Sequence, residues 1–213
     1  MNLRRIVIAI LFVIVTIVGV QPILAQTTDQ QTPAVKKDDE TNLETQLYLI
    51  VGYNQEAEEA KLPAVLEPIF KQLRASLPFK NYRVSATLIN RVKNDGRLNL
   101  KWIGGPLIIS AAATNQTPSF HEFRVNNIRL VQDEAGRQVV RLEGFAFGAR
   151  IPIQTGTAIA STGPAAPIIN YEPTGLNTDI SMREGEPVIV GTLNVGPAGE
   201  AIILVMSAKR TTK

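Results

Sequence analysis

From Tyr82 onward the apolar residues recur at every second position, and short turn signals cut the chain into brief runs; this pattern fits strands and leaves little room for helix. Tyr82, Val84, Ala86 and Leu88 alternate with Arg83, Ser85 and Thr87. Asn94-Asp95-Gly96 reads as a tight hairpin turn, with Leu98, Leu100 and Trp102 on the return strand. Pro106 to Ala113 is a further apolar run, expected as a strand or its edge, and two strands, Phe120 to Gln132 and Arg137 to Ile151, meet at Asp133-Glu134-Ala135-Gly136. Thr155 to Pro167 is small, Gly/Pro-rich and uncharged, and is expected to be a long flexible loop. Three strands then follow, Thr174 to Met182, Pro187 to Val195 and Glu200 to Ala208, turned at Arg183 to Glu186 and at Gly196 to Gly199.

Ahead of Tyr82 the period differs. Leu47 to Tyr53 is a continuous apolar run that suits a buried strand, and Asn54 to Lys61 is acidic and polar, a loop or a frayed first helical turn. Leu62, Val65, Leu66, Ile69, Phe70, Leu73 and Leu77 then fall on one stripe of a helix, with Glu67, Lys71, Gln72 and Arg74 facing out. Pro63 suits a first helical position, whereas Pro68 removes a donor one turn in, so the helix either kinks there or starts later; Pro78 ends it. The expected fold class is α+β: a mainly antiparallel β-sheet or small sandwich with one covering amphipathic helix over 62–77. If the first strand pairs parallel to the strand from Tyr82, the helix is a right-handed crossover.

The N-terminus reads as an address. Arg4 and Arg5 precede an uncharged apolar run, Ile6 to Val20, and Ile23-Leu24-Ala25 ends on a small residue. That is the layout of a bacterial secretory signal peptide cut after Ala25; the alternative is an inner-membrane anchor over 6–25. Residues 26–45 are polar and read as a disordered linker, leaving 46–213 as a single α+β domain with a candidate sub-boundary near 105–118. The expected location is periplasmic or secreted.

The formal charge of +3 includes Arg4 and Arg5; after Ala25 there remain 20 basic and 19 acidic residues, a net of +1. Overall basicity is thus no argument for a nucleic-acid partner or for strong membrane binding once the signal is removed. With no cysteine, disulfides, thiol catalysis, cysteine-held metals and an acylated N-terminal cysteine are all excluded. The single histidine, His121, would have to serve any histidine-dependent mechanism alone. It sits beside Glu122 in a strand, where neighbours face opposite ways, so the pair is no ready acid–base couple.

No nucleophile elbow, zinc helix motif or phosphate loop is present, so no catalytic, cofactor-binding or metal residue is assigned and no cofactor is expected. Asp95, Asp133, Glu134, Asp179, Glu184 and Glu186 fall mostly in turns, where carboxylates satisfy local backbone; two of them converging would make a glycosidase-like pair. Tyr48, Tyr53, Tyr82 and Trp102 are the candidate binding residues, as a stacking platform at one end of the sheet.

Leu176 to Gly191, LNTDISMREGEPVIVG, resembles a strand-turn-strand phrase of secretins, the outer-membrane gates of bacterial secretion and pilus systems. An acidic-Gly-Glu turn there separates a Thr-containing strand from a Val-rich strand ending in glycine; Thr192 stands where the phrase has a second glycine. The run Leu73 to Val84, LRASLPFKNYRV, together with EGEPVIVGT and AIILVMSA nearer the C-terminus, resembles small uncharacterised exported bacterial proteins with an α+β core. That resemblance implies no particular activity.

The reading that follows is a non-enzymatic exported envelope or periplasmic interaction module whose partner is a protein of the cell envelope, with sheet edges and the 155–167 loop as contact surfaces. The alternative is a small-ligand or glycan-binding domain using the Tyr/Trp residues, and behind it a carboxylate-pair hydrolase.

Overall fold

The computed structural model describes residues 41–55, 62–105, 107, 117–158, 166–195 and 199–211. These fall within one unit, Asp39–Lys213. The expected signal over 1–25 and residues 26–40 of the expected 26–45 linker lie outside the described residues. Among the described residues no helix is long and apolar enough to cross a membrane.

The strands are β1 (Asn42–Tyr53), β2 (Asn81–Lys93), β3 (Gly96–Gly104), β4 (Ser119–Gln132), β5 (Gln138–Ala158), β6 (Ala166–Arg183), β7 (Val188–Val195) and β8 (Glu200–Arg210); the helix α1 is Glu67–Ser76. They form two four-stranded sheets, β2-β1-β8-β7 (sheet A) and β3-β4-β5-β6 (sheet B), and every pairing is antiparallel. The inner faces of both sheets share one apolar core. Leu47 and Leu49 of β1 and Ile202, Leu204 and Met206 of β8 meet Phe123, Val125 and Ile128 of β4 and Leu142, Phe145 and Phe147 of β5. The Phe123 and Phe145 rings lie 5.2 Å apart. The fold is thus mainly antiparallel β with one short helix, a sandwich-like arrangement.

β1 and β8 are the central strands of sheet A and carry apolar residues on both faces, which is why both read as unbroken hydrophobic runs. Their second face, Tyr48, Ile50, Ile203 and Val205, forms a separate cluster with Tyr82 and with Leu66, Ile69, Phe70 and Leu73 from the helical segment. The helix starts later than the apolar stripe predicts. Ala64–Leu66 is a 3-10 turn, and Pro68 falls in the first turn of α1, where its missing N–H leaves no ladder bond unmade. The tighter turn also breaks the 3.6-residue phase, so Val65, expected in the core, is 54% exposed. Leu77 closes the helix by donating its N–H to the Leu73 carbonyl at 2.8 Å and is itself extended, as a residue before proline prefers.

β1 and β2 pair antiparallel, with Tyr53 opposite Asn81, which corrects the parallel crossover. The reason is length: ten helical residues advance about 15 Å, whereas twelve strand residues span about 40 Å, so α1 cannot carry the chain back to the start of β1.

Asn94-Asp95-Gly96 is a turn, with Asp95 at φ 59°, but β2 and β3 belong to different sheets rather than to one hairpin. Its polar groups reach across the sandwich edge: Asp95 N–H donates to the Ile128 carbonyl at 2.8 Å, and Asn94 Oδ1 accepts from Leu130 N–H at 2.8 Å. The turn at Glu184-Gly185 likewise carries the chain from β6 in sheet B to β7 in sheet A, so the secretin-like phrase is not one paired hairpin either.

Three boundaries differ from the sequence reading. β1 begins at Asn42, with Leu43 fully buried, so 42–45 are strand rather than linker. β3 and β4 pair, so 105–118 joins neighbouring strands of one sheet; within the expected strand over 106–113 only Leu107 is described, and it is buried. β5 runs to Ala158 and β6 starts at Ala166, so most of the expected 155–167 loop that is described is strand.

Candidate functional site

The four predicted binding residues do not share a surface. Tyr48, Tyr53 and Tyr82 lie in sheet A and are 5%, 2% and 5% exposed. Burial raises the hydroxyl pKa values of Tyr48 and Tyr82, and Tyr48 donates to Gln46 Oε1. Trp102 lies in sheet B, half-buried, with its ring 4.8 Å from that of His121. His121 is itself buried, and neither ring nitrogen has a hydrogen-bond partner. Burial pulls its pKa down to about 4, so the ring is neutral at physiological pH. Glu122 points the other way and pairs with Lys101 at 3.6 Å.

Most of the candidate carboxylates are engaged locally. Asp133 accepts from the N–H groups of Ala135 and Arg137 and from Arg137 Nε, and the Arg137 backbone bond leads in lowering its pKa. Glu184 accepts from the backbone N–H and Nε of Arg210, and the side-chain bond leads in holding its pKa down. Asp179 takes the Gly144 N–H at 2.6 Å; Asp95 pairs with Arg129 at 3.3 Å and Glu186 with Arg183 at 3.7 Å. Glu134 is exposed in its turn. Among the described residues no three His, Asp or Glu side chains cluster as a metal site.

The feature that stands out is the outward face of sheet B. Sheet A carries α1 on its outer face, whereas among the described residues nothing covers the outer face of sheet B. Register defines three consecutive rows across it. Lys101, Glu122, Gly148 and Gly175 form one; Trp102, His121, Ala149 and Thr174 the next; Ile103, Phe120, Arg150 and Pro173 the third. A strand alternates its faces, so the first and third rows project outward and the middle row inward. His121 and Ala149, at 5% and 4% exposure, match that assignment. A cleft of about 540 Å3 spans the three rows. The middle row gives this cleft its backbone as floor, and the outward residues give the walls.

Gly148 makes the depression, because it supplies no side chain to its row, and its partner on β6, Gly175, supplies none either. A Cβ built on Gly148 would meet nothing within 4 Å, while one on Gly175 would run into the Phe147 carbonyl. Apolar groups cluster at the end of the same face. Ile103 is 68% exposed and sits directly opposite Phe120, whose ring lies 5.4 Å from Tyr171; Tyr171 Oη donates to the Pro118 carbonyl at 3.2 Å. Sequence reasoning missed Ile103, Phe120, Gly148, Arg150, Tyr171 and Gly175. The signal lay in the alternation itself: with Phe123 taken as core, Phe120 must face out. That step also needs the strand register, which one sequence does not supply.

No protein-family model matches the sequence, and no curated protein matches it. Its structural neighbours are secretin domains, the family that 176–191 resembles. The InvG secretin of the Salmonella SPI-1 type III secretion injectisome is 9% identical, over 81% of this chain and 65% of that chain, with a TM-score of 0.33. The type IV competence pilus secretin PilQ of V. cholerae is 12% identical, over 81% and 59%, with a TM-score of 0.32. A chain of the Klebsiella pneumoniae type II secretion outer membrane complex of PulD, PulS and the PulC HR domain is 11% identical, over 81% and 39%, with a TM-score of 0.35. The chain thus spans less than two thirds of the length of these structures. A likeness this loose carries none of their activity, assembly or location over to this chain.

Proposed function

We propose that this chain is an exported, envelope-located interaction module without enzymatic activity, and that it holds a protein partner against the outward face of sheet B. The observation that carries this is the apolar cluster of Ile103, Phe120 and Tyr171 on a sheet face that no described residue covers. Exposed apolar groups gathered beside a cleft mark contact surfaces more often than scattered ones do. The Arg4-Arg5 start and the apolar run to Ala25 support the envelope location, with a signal cut after Ala25 and residues 26–41 as the tether.

The test is a photo-activatable cross-linker placed at Phe120 and, as control, at Ile89, which is 62% exposed but lies on β2 of sheet A. The reading expects a discrete protein adduct from position 120 in intact cells and none from position 89. Equal labelling at both positions, or none at 120, contradicts it. N-terminal sequencing of the recovered protein tests the export reading: a first residue of Gln26 supports it, and a form retaining Met1 and released only by detergent overturns it. A small-ligand or glycan-binding reading has one observation in its favour, the cleft of about 540 Å3 beside the Phe120–Tyr171 ring pair.

A further inference from the structure

The outward face of sheet B carries a set of unpaired cations. Arg97, Arg124, Arg141 and Arg150 all point out and are exposed, and among the described residues none of them has an ion-pair or hydrogen-bond partner. Lys101, Arg129 and Arg183 share the face and are paired, with Glu122, with Asp95 and Glu143, and with Glu186. Against these seven cations stand five carboxylates: Glu122, Glu143 and Asp179 on the face itself, and Asp95 and Glu186 in the turns at its edge. With those partners counted the face is +2 in a chain that is +1 after Ala25, and its excess positive charge lies in the unpaired arginines. Arg129 and Arg141 even stand directly opposite each other, an arrangement that weakens a strand pair. Asp95 and Glu143 offset Arg129, and nothing offsets Arg141.

Resting on the reading that this face holds a protein partner, we propose that the partner presents an acidic extended segment with one apolar anchor residue. The anchor seats in the trough over Gly148, between Phe120, Ile103 and Pro173. Carboxylates on either side of it meet Arg150 and the unpaired arginines of the rows beyond. The chemistry favours this occupant in two ways. All four unpaired cations are arginines, whose planar fork matches a carboxylate with two parallel hydrogen bonds. The three carboxylates interspersed on the face would repel a uniformly charged polyanion at several points along its length. A peptide, by contrast, can place its acids at chosen positions and an aliphatic side chain between them. A nucleic acid or an anionic lipid surface has no such choice.

The test uses the full chain without its signal and a fluorescein-labelled heptapeptide of three glutamates, a leucine and three glutamates, read by fluorescence anisotropy. Controls are the same peptide with serine for leucine, a six-lysine counterpart, a twelve-residue oligothymidylate and vesicles containing anionic phospholipid. The expected result is saturable binding of the glutamate–leucine peptide, at least fivefold weaker for the serine version and absent for the lysine peptide. Arg150→Glu should weaken it tenfold or more. Gly148→Val should do likewise by filling the trough, and because its Cβ enters open space it separates a blocked site from an unfolded one. Circular dichroism confirms the fold of each variant. Tighter binding of the oligothymidylate or the vesicles than of the peptide overturns the proposal, as does peptide binding that both variants leave unchanged. Peptide-induced or spontaneous self-association, read by light scattering, also overturns it, because the face would then serve a second copy. Sequencing the adduct from position 120 separates the two levels: attachment through a segment without clustered acids removes the acidic-segment proposal but leaves the docking face standing, and no adduct removes both.

Discussion

Phe120 in β4 and Tyr171 in β6 hold their rings 5.4 Å apart, tilted by 58°, across the intervening strand β5. Phe120 faces Arg150, Arg150 faces Pro173, and Tyr171 stands two residues further along β6 on the same side, so the contact is diagonal. Both rings remain about 40% exposed. Neither therefore supports the core in the way that Phe123 or Phe145 does. Phe120→Ser should change unfolding free energy by less than about 1 kcal/mol in urea denaturation while abolishing the adduct formed by a cross-linker at position 103. A loss of several kcal/mol would make Phe120 a packing residue.

Phe70 gives the opposite expectation. It is 2% exposed, contacts Tyr82 with ring centroids 6.1 Å apart, and belongs to the cluster on the second face of sheet A. Phe70→Ala should cost about 3–5 kcal/mol by chemical denaturation, whereas Val65→Ala, three residues into the same apolar stripe, should stay within about 0.5 kcal/mol.

Two glycines of β5 should behave differently although they are four residues apart. Gly144 sits at φ +62° in a bulge, its N–H given to Asp179, and a Cβ there would strike the Asn126 side chain. Gly144→Val should cost about 1–3 kcal/mol. Gly148 has no positive φ and open space above it, so Gly148→Val should be within about 0.5 kcal/mol of the wild type. Paired thermal melts check both.

His121 makes stability depend on pH in a defined window. Its folded pKa of about 4 lies below the value of about 6.5 in an unfolded chain, so between these the unfolded state binds a proton that the folded state refuses. Stability is therefore unaffected above pH 6.5 and falls as the pH drops towards 4. The loss attributable to this ring between pH 7 and pH 5 should be about 2 kcal/mol. Denaturant titrations at the two pH values, on wild type and His121→Phe, measure it as the difference between the two proteins; parallel losses in both would show that the ring is not the cause.

The strands and turns of this fold were legible wherever one periodicity acted alone. β1, β8 and the turn at Asp133–Gly136 lie close to where their sequences put them, because a buried strand is apolar throughout and a turn aspartate caps its own backbone. Pairing was not legible. Asn94-Asp95-Gly96 and Glu184-Gly185 carry the residues of hairpin turns, yet each passes the chain between sheets, since turn chemistry is local and the choice of partner strand is made by the shared core. The candidate site was hidden for the same reason. Its residues come from four strands, and its floor is an absence of side chains, so nothing in Gly148 or Gly175 alone distinguishes them from the bulge glycine Gly144. Tyr48, Tyr53 and Tyr82 are in the core, where aromatic area is most often buried.

The proposed seat of the partner is the outward face of sheet B, through the trough at Gly148. The most direct measurement compares adduct yield in intact cells from a cross-linker at Ile103 in the wild type and in Gly148→Val, with the Ile89 position as reference. A discrete adduct is expected at 103 that falls at least fivefold when valine fills the trough, with the protein level unchanged and position 89 giving no adduct in either protein. An adduct at 103 that survives Gly148→Val undiminished would contradict it.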